Sequence, residues 1–92
     1  MLTLNATSVV AGTSIAVTLT KGLGGARDWL ALAAVGAPDT TYSRWTYVGA
    51  GVTTRTWIVT VPTTPGQYEI RLFLNGGYTR AATSPAFAVT AP

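Results

Sequence analysis

The sequence predicts an all-β fold, an antiparallel β-sandwich of seven to eight short strands, on three observations. Val and Thr recur along the whole chain beside three Trp, four Tyr and two Phe, whereas Glu, Lys and Gln occur once each; this is the composition of pleated, half-buried surfaces rather than of helices. Ten Gly and five Pro fall between segments whose apolar residues alternate, as turns fall between strands. The chain has 92 residues, 48% of them hydrophobic and 10% charged, which suits one packed module over residues 1–92 and argues against disorder.

Each strand has its own signal. Leu2 to Asn5 alternates weakly and Val9-Val10 continues it after a kink, before the turn at Ala11-Gly12-Thr13. Ser14 to Thr20 is the cleanest strand, with Ile15, Val17 and Leu19 on one face and Ser14, Ala16, Thr18 and Thr20 on the other. Lys21 to Ala26, with three Gly, is a loop. The apolar run Asp28 to Ala34 reads either as a helical turn or as a central strand. Its neighbours and the early stop at Ala37-Pro38-Asp39 favour the strand.

Tyr42 to Val48 is a short aromatic strand, ended by Gly49-Ala50-Gly51. Thr54 to Val61 alternates again, with Trp57, Val59 and Val61 together, and Pro62 to Gly66 turns the chain. Gln67 to Leu74 places Tyr68, Ile70, Leu72 and Leu74 inward and Glu69, Arg71 and Phe73 outward. Asn75-Gly76-Gly77 makes a hairpin, and Thr79 to Thr90 is a last strand interrupted at Pro85.

Strand number and length match an immunoglobulin-like sandwich. Trp29 in the third strand and Tyr68, two residues before Ile70 at the start of the sixth, occupy positions where that architecture buries a Trp and places a tyrosine corner. Trp29 and Tyr68 are therefore assigned to the core.

The composition leaves little chemistry. There is no His and no Cys, so a Ser or Thr nucleophile has no imidazole base and no thiolate metal site exists. The carboxylates are Asp28, Asp39 and Glu69. Asp28 and Glu69 read either as an acid pair across neighbouring strands or, with Arg27, Arg71 and Arg80 nearby, as part of a surface ion-pair cluster; the second reading is preferred. No cofactor is expected; a calcium ion at Asp39 beside backbone carbonyls is the one metal site considered. The net charge of +3 is scattered, which argues against a nucleic-acid groove, and no apolar run is long enough for a membrane span. No signal peptide is visible, and Met1 reads as a start placed on an excised module.

Binding is better provided for. In Tyr42-Ser43-Arg44-Trp45-Thr46-Tyr47, Trp45 and Tyr47 share one face of the strand, roughly 7 Å apart along it. Rigid rings offer large contact area at low entropic cost, and a sugar ring presents an apolar C–H face to them. The same rings read equally as core. Trp57 shares the face of Val59 and Val61, which favours core. Tyr78 follows the hairpin glycines and is expected near its tip. Arg44, Asn75 and Arg80 are the candidate polar partners of a ligand.

The run Pro65-Gly66-Gln67-Tyr68-Glu69-Ile70-Arg71-Leu72-Phe73, with Asn75 to Arg80 and Ala82-Thr83-Ser84, resembles the immunoglobulin-like accessory modules of bacterial secreted enzymes; Asp28-Trp29-Leu30 and Trp45-Thr46-Tyr47 fit the same pattern. The resemblance runs from about Gly12 onward. More narrowly, the chain looks like the carbohydrate-binding modules attached to bacterial endoglucanases. That resemblance implies a secreted, extracellular, non-catalytic module whose exposed Trp and Tyr stack on β-glucan chains such as cellulose and hold an attached catalytic domain to its substrate. Trp45, Tyr47, Tyr78 and Trp57 would be the stacking residues, with Tyr42 beside them. The alternative expectation is a structural spacer or protein-docking module of a larger secreted protein.

Overall fold

The computed structural model describes residues 1–91, and among these the chain is all-β with no helix. Nine strands form two sheets: β1 (Leu2–Leu4), β2 (Ser8–Val10), β3 (Ser14–Leu19), β4 (Trp29–Ala34), β5 (Arg44–Tyr47), β6 (Arg55–Thr60), β7 (Gly66–Leu74), β8 (Thr79–Thr83) and β9 (Phe87–Thr90). The smaller sheet runs β1-β3-β6 and the larger β2-β9-β7-β4-β5, with β8 also paired to β7.

Two of the expected strands are each divided. The kink after Leu4 separates β1, which pairs with β3 in the smaller sheet, from β2, which joins the larger sheet parallel to β9. That pair is the exception to the antiparallel expectation. The break at Pro85 separates β8 from β9, and both lie along β7: β8 beside residues 71–74 and β9 beside residues 66–68. Proline has no N–H to offer the ladder. At this break the Ser84 hydroxyl accepts the Ile70 N–H at 2.8 Å, while the Ser84 N–H donates to the Ile70 carbonyl at 2.8 Å.

The inward faces meet in one core. Ile15, Val17, Leu19 and Val59 of the smaller sheet are buried with Leu30, Leu32, Ile70, Leu72, Phe87 and Val89 of the larger. Tyr68 joins them and its hydroxyl donates to the Thr64 carbonyl at 2.8 Å, so its ring is buried without an unpaired polar tip. Leu74, expected inward, ends β7 only half-buried.

The outer face of the larger sheet departs most from expectation. Glu69, Arg71 and Phe73 lie on the outward phase of β7, yet all three are buried. Trp29 is buried as well, at 5% exposure, but outside the inter-sheet core: it clusters with Ala31 and Phe73 on this outer face. Strand parity explains the placement. Leu30 and Leu32 take the core side of β4, so Trp29, Ala31 and Ala33 must take the other.

Candidate functional site

Cross-strand register assembles the site on that outer face. Trp29 lies between Tyr47 of β5 and Phe73 of β7, and Ala31 lies between Trp45 and Arg71. Flanking segments add Tyr42, just before β5, and Tyr78, from the β7–β8 hairpin. Together Trp29, Tyr42, Trp45, Tyr47, Tyr78 and Gly76 line a cleft of about 140 Å³. Trp29 is its floor. Around it Tyr42, Trp45, Tyr47 and Tyr78 are 36%, 49%, 50% and 48% exposed.

The rings are set edge to face. Trp29 meets Tyr42 at a centroid distance of 5.1 Å and 64°, Trp45 at 6.1 Å and 83°, and Tyr78 at 5.8 Å and 77°. Trp45 and Tyr47 are 4.9 Å apart with planes at 87°. The flat platform with its ~7 Å spacing is thus corrected to a cup. Positive ring edges meet negative ring faces, the preferred arrangement of such pairs, and this draws the rings together.

The hairpin that carries Tyr78 is fixed by its backbone. Asn75 (φ 58°) and Gly76 (φ 67°) both take left-handed conformations, and the Gly77 N–H donates to the Leu74 carbonyl at 3.0 Å. This is the turn for which Asn-Gly is favoured. The Trp29 indole N–H donates to the Gly77 carbonyl at 3.0 Å, pinning floor to hairpin. Asp28, 3% exposed, accepts the Gly25 and Asn75 N–H groups at 3.2 Å each and so ties the 20–28 loop to the same hairpin.

Beside the aromatic half of this face lies a charged half. Buried Arg71 donates Nε–H to Glu69 at 2.8 Å and further N–H groups to the Pro38 and Ala34 carbonyls, and it lies 3.7 Å from Asp39. Arg80 binds Asp39 and lies 3.5 Å from Glu69. The cluster of Asp39, Glu69, Arg71 and Arg80 balances two negative charges with two positive ones. Asp28 takes no part: Glu69 is opposite Ala33 while Phe73 is opposite Trp29, which puts Asp28 about 17 Å further along the ladder at ~3.4 Å per residue. The acid-pair reading of Asp28 and Glu69 is therefore overturned. The calcium reading of Asp39 fails on the same cluster, because its carboxylate faces two guanidinium groups rather than a cage of oxygens.

Of the residues expected to bind a ligand, the structure brings Tyr42, Trp45, Tyr47 and Tyr78 together. Arg80 stands in the adjacent charged cluster, and Asn75 sits exposed in the hairpin. Trp57 does not belong: it is on the inward face of β6, in the other sheet, packed against the core. Arg44 does not belong either. It is opposite Leu32, out of phase with Trp45, and lines a separate shallow groove with Thr60 to Thr64. Sequence reasoning placed Trp29 in the inter-sheet core and missed it as the floor; its shared phase with Ala31 against Leu30 and Leu32 is the signal that finds it. Comparison with protein-family models, with curated proteins and with solved structures finds no match.

Proposed function

We propose that the chain is a non-catalytic carbohydrate-binding module that takes β-glucan chains, of cellulose or related plant cell-wall polysaccharides, at the aromatic cup. The observation that carries this reading is four half-exposed rings standing around a buried Trp in an open cleft of about 140 Å³. A pyranose set into the cup meets ring faces and edges with its C–H groups, and its hydroxyls look out to water and to the Trp-pinned hairpin. Neighbouring sugars of the chain lie largely in solvent, which corresponds to modest affinity, about tens of micromolar. Because the rings are upright rather than coplanar, the cup favours a free, soluble chain over the flat face of a crystal.

The finer fold assignment belongs to this reading. The strand order, the Tyr68–Thr64 hydrogen bond and the division of the strands between two sheets support an immunoglobulin-like topology. A non-catalytic role is supported by the state of the carboxylates, which are spent on backbone N–H groups at Asp28 and on guanidiniums at Asp39 and Glu69. Secretion and attachment to a hydrolase follow from the same reading.

Isothermal titration with cello-oligosaccharides, beside retention on amorphous and crystalline cellulose, tests the proposal. Expected are heat with the soluble chains, stronger retention on the amorphous polymer, and loss of both in Trp45→Ala. Absence of binding to every soluble glucan and every insoluble fibre overturns it and leaves a spacer module.

A further inference from the structure

We propose that the free edge of β6 is a self-association surface whose partner is the same strand of a second copy of this chain. Among the described residues β6 pairs with β3 alone. The Val61 N–H donates to the Thr13 carbonyl at 2.8 Å, which puts Ile15–Val59, Val17–Trp57 and Leu19–Arg55 among the hydrogen-bonded pairs of that ladder. By alternation, the backbone N–H and C=O groups of Thr56, Ile58 and Thr60 point away from β3, into the open edge.

Sheet edges are normally blunted by shortness, charge, proline or bulges. The other free edges here obey that rule. β1 and β2 have three residues each, β5 has four and begins with Arg44, and β8 contains Arg80 and pairs through a bulge. β6 is the longest of them at six residues, and beyond Arg55 it carries no charge, proline, glycine or bulge. Of its large hydrophobic side chains Ile58 stands out into solvent, at 64% exposure.

A two-fold axis through Ile58 makes this edge complementary to itself. Ile58 then exchanges both backbone hydrogen bonds with its copy, Thr56 faces Thr60 of the second copy, and Thr60 faces its Thr56. Directly opposed β-branched and Thr–Thr pairs are stabilising cross-strand contacts. Within the paired strands Arg55 falls opposite Val61, so no like charges are directly opposed. The product is one six-stranded sheet of order β1-β3-β6-β6-β3-β1. It leaves the outer face of each larger sheet uncovered, so that both aromatic cups stay open and, on the reading proposed above, a long polymer is gripped at two points.

Sedimentation velocity from about 10 µM to about 1 mM, a range that spans weak association, tests this directly. The expected result is a concentration-dependent shift from the 9.5 kDa monomer toward twice that mass, enhanced by salt as the like net charges are screened. Ile58→Lys sets two ammonium groups face to face on the axis and should hold the protein monomeric throughout. Thr56→Pro removes one outward N–H without touching the β3 ladder and should weaken association on its own. Amide exchange at Thr56, Ile58 and Thr60 should slow at least ~10-fold on going from dilute to concentrated protein. A wild-type chain that stays monomeric, a dimer indifferent to both variants, or protection gained at another edge overturns the proposal. None of these outcomes depends on whether a glycan binds.

Discussion

At the scale of single residues the aromatic rings divide into those that hold the fold and those that face a ligand, and substitution separates the two. Trp29 is both buried and hydrogen-bonded to the hairpin, so Trp29→Ala should cost about 3–5 kcal/mol, as buried Trp truncations do, and abolish binding with it; thermal or urea unfolding measures the first. Trp45→Ala removes a half-exposed ring with one edge-to-face contact on either side, worth about 1 kcal/mol. It should leave folding nearly intact while lowering glucan affinity at least ~10-fold, or 1.4 kcal/mol. Trp57→Ala gives the opposite result: lower stability, with the same affinity by titration. A loss of binding in Trp57→Ala equal to that in Trp45→Ala would place the site on the wrong sheet. Arg71 makes a different kind of contribution. Its buried guanidinium answers Glu69 and two backbone carbonyls, so Arg71→Met leaves Glu69 beside an apolar group and should destabilise by about 3–5 kcal/mol. The double variant Arg71→Met with Glu69→Met should recover part of that loss in the same denaturation experiment.

At the scale of elements the β7–β8 hairpin links fold to site. A side chain at Gly76 must adopt φ near 67°, which costs an L-residue roughly 1–2 kcal/mol. Relaxing that strain moves the Gly77 carbonyl away from the Trp29 indole and Tyr78 away from the cup. Gly76→Ala should therefore lower Tm and glucan affinity together, whereas a turn with no part in the site would lower Tm alone. The elements themselves were legible in the sequence because each strand buries one face, and a two-residue period survives wherever one face is buried. Ser14 to Thr20 and Thr54 to Val61 were read almost to the residue for that reason. Reading failed where the placement depends on a distant partner. Nothing local to Val9-Val10 says that it crosses to the other sheet, and nothing local to Arg71 says that Asp39 and the 34–38 carbonyls close over it. Tyr42, Trp45, Tyr47 and Tyr78 were identifiable as candidates, since short aromatic strands and hairpin tips have few places to hide a ring. Strand phase already favoured the core for Trp57, which entered the candidate site only through the resemblance, and Arg44 entered as a polar neighbour of Trp45 in sequence although it lies on the opposite phase of β5.

At the scale of the whole molecule the distribution of charge constrains what the cup can hold. The cluster of Asp39, Glu69, Arg71 and Arg80 is neutral within itself, so the net +3 resides in Lys21, Arg27, Arg44 and Arg55 less Asp28. None of those side chains lines the cup, and at physiological salt their fields fade over about 8 Å. A neutral glucan held by ring contacts and by hydroxyl hydrogen bonds should therefore bind with the same affinity, within about twofold, from ~50 mM to ~500 mM salt. An acidic polysaccharide drawn to the basic residues would instead weaken steeply across that range. Calorimetric titration of one cello-oligosaccharide at several ionic strengths decides the matter. A flat response assigns recognition to the rings, and a steep one shows that the excess positive charge, none of which lines the cup, is what finds the ligand.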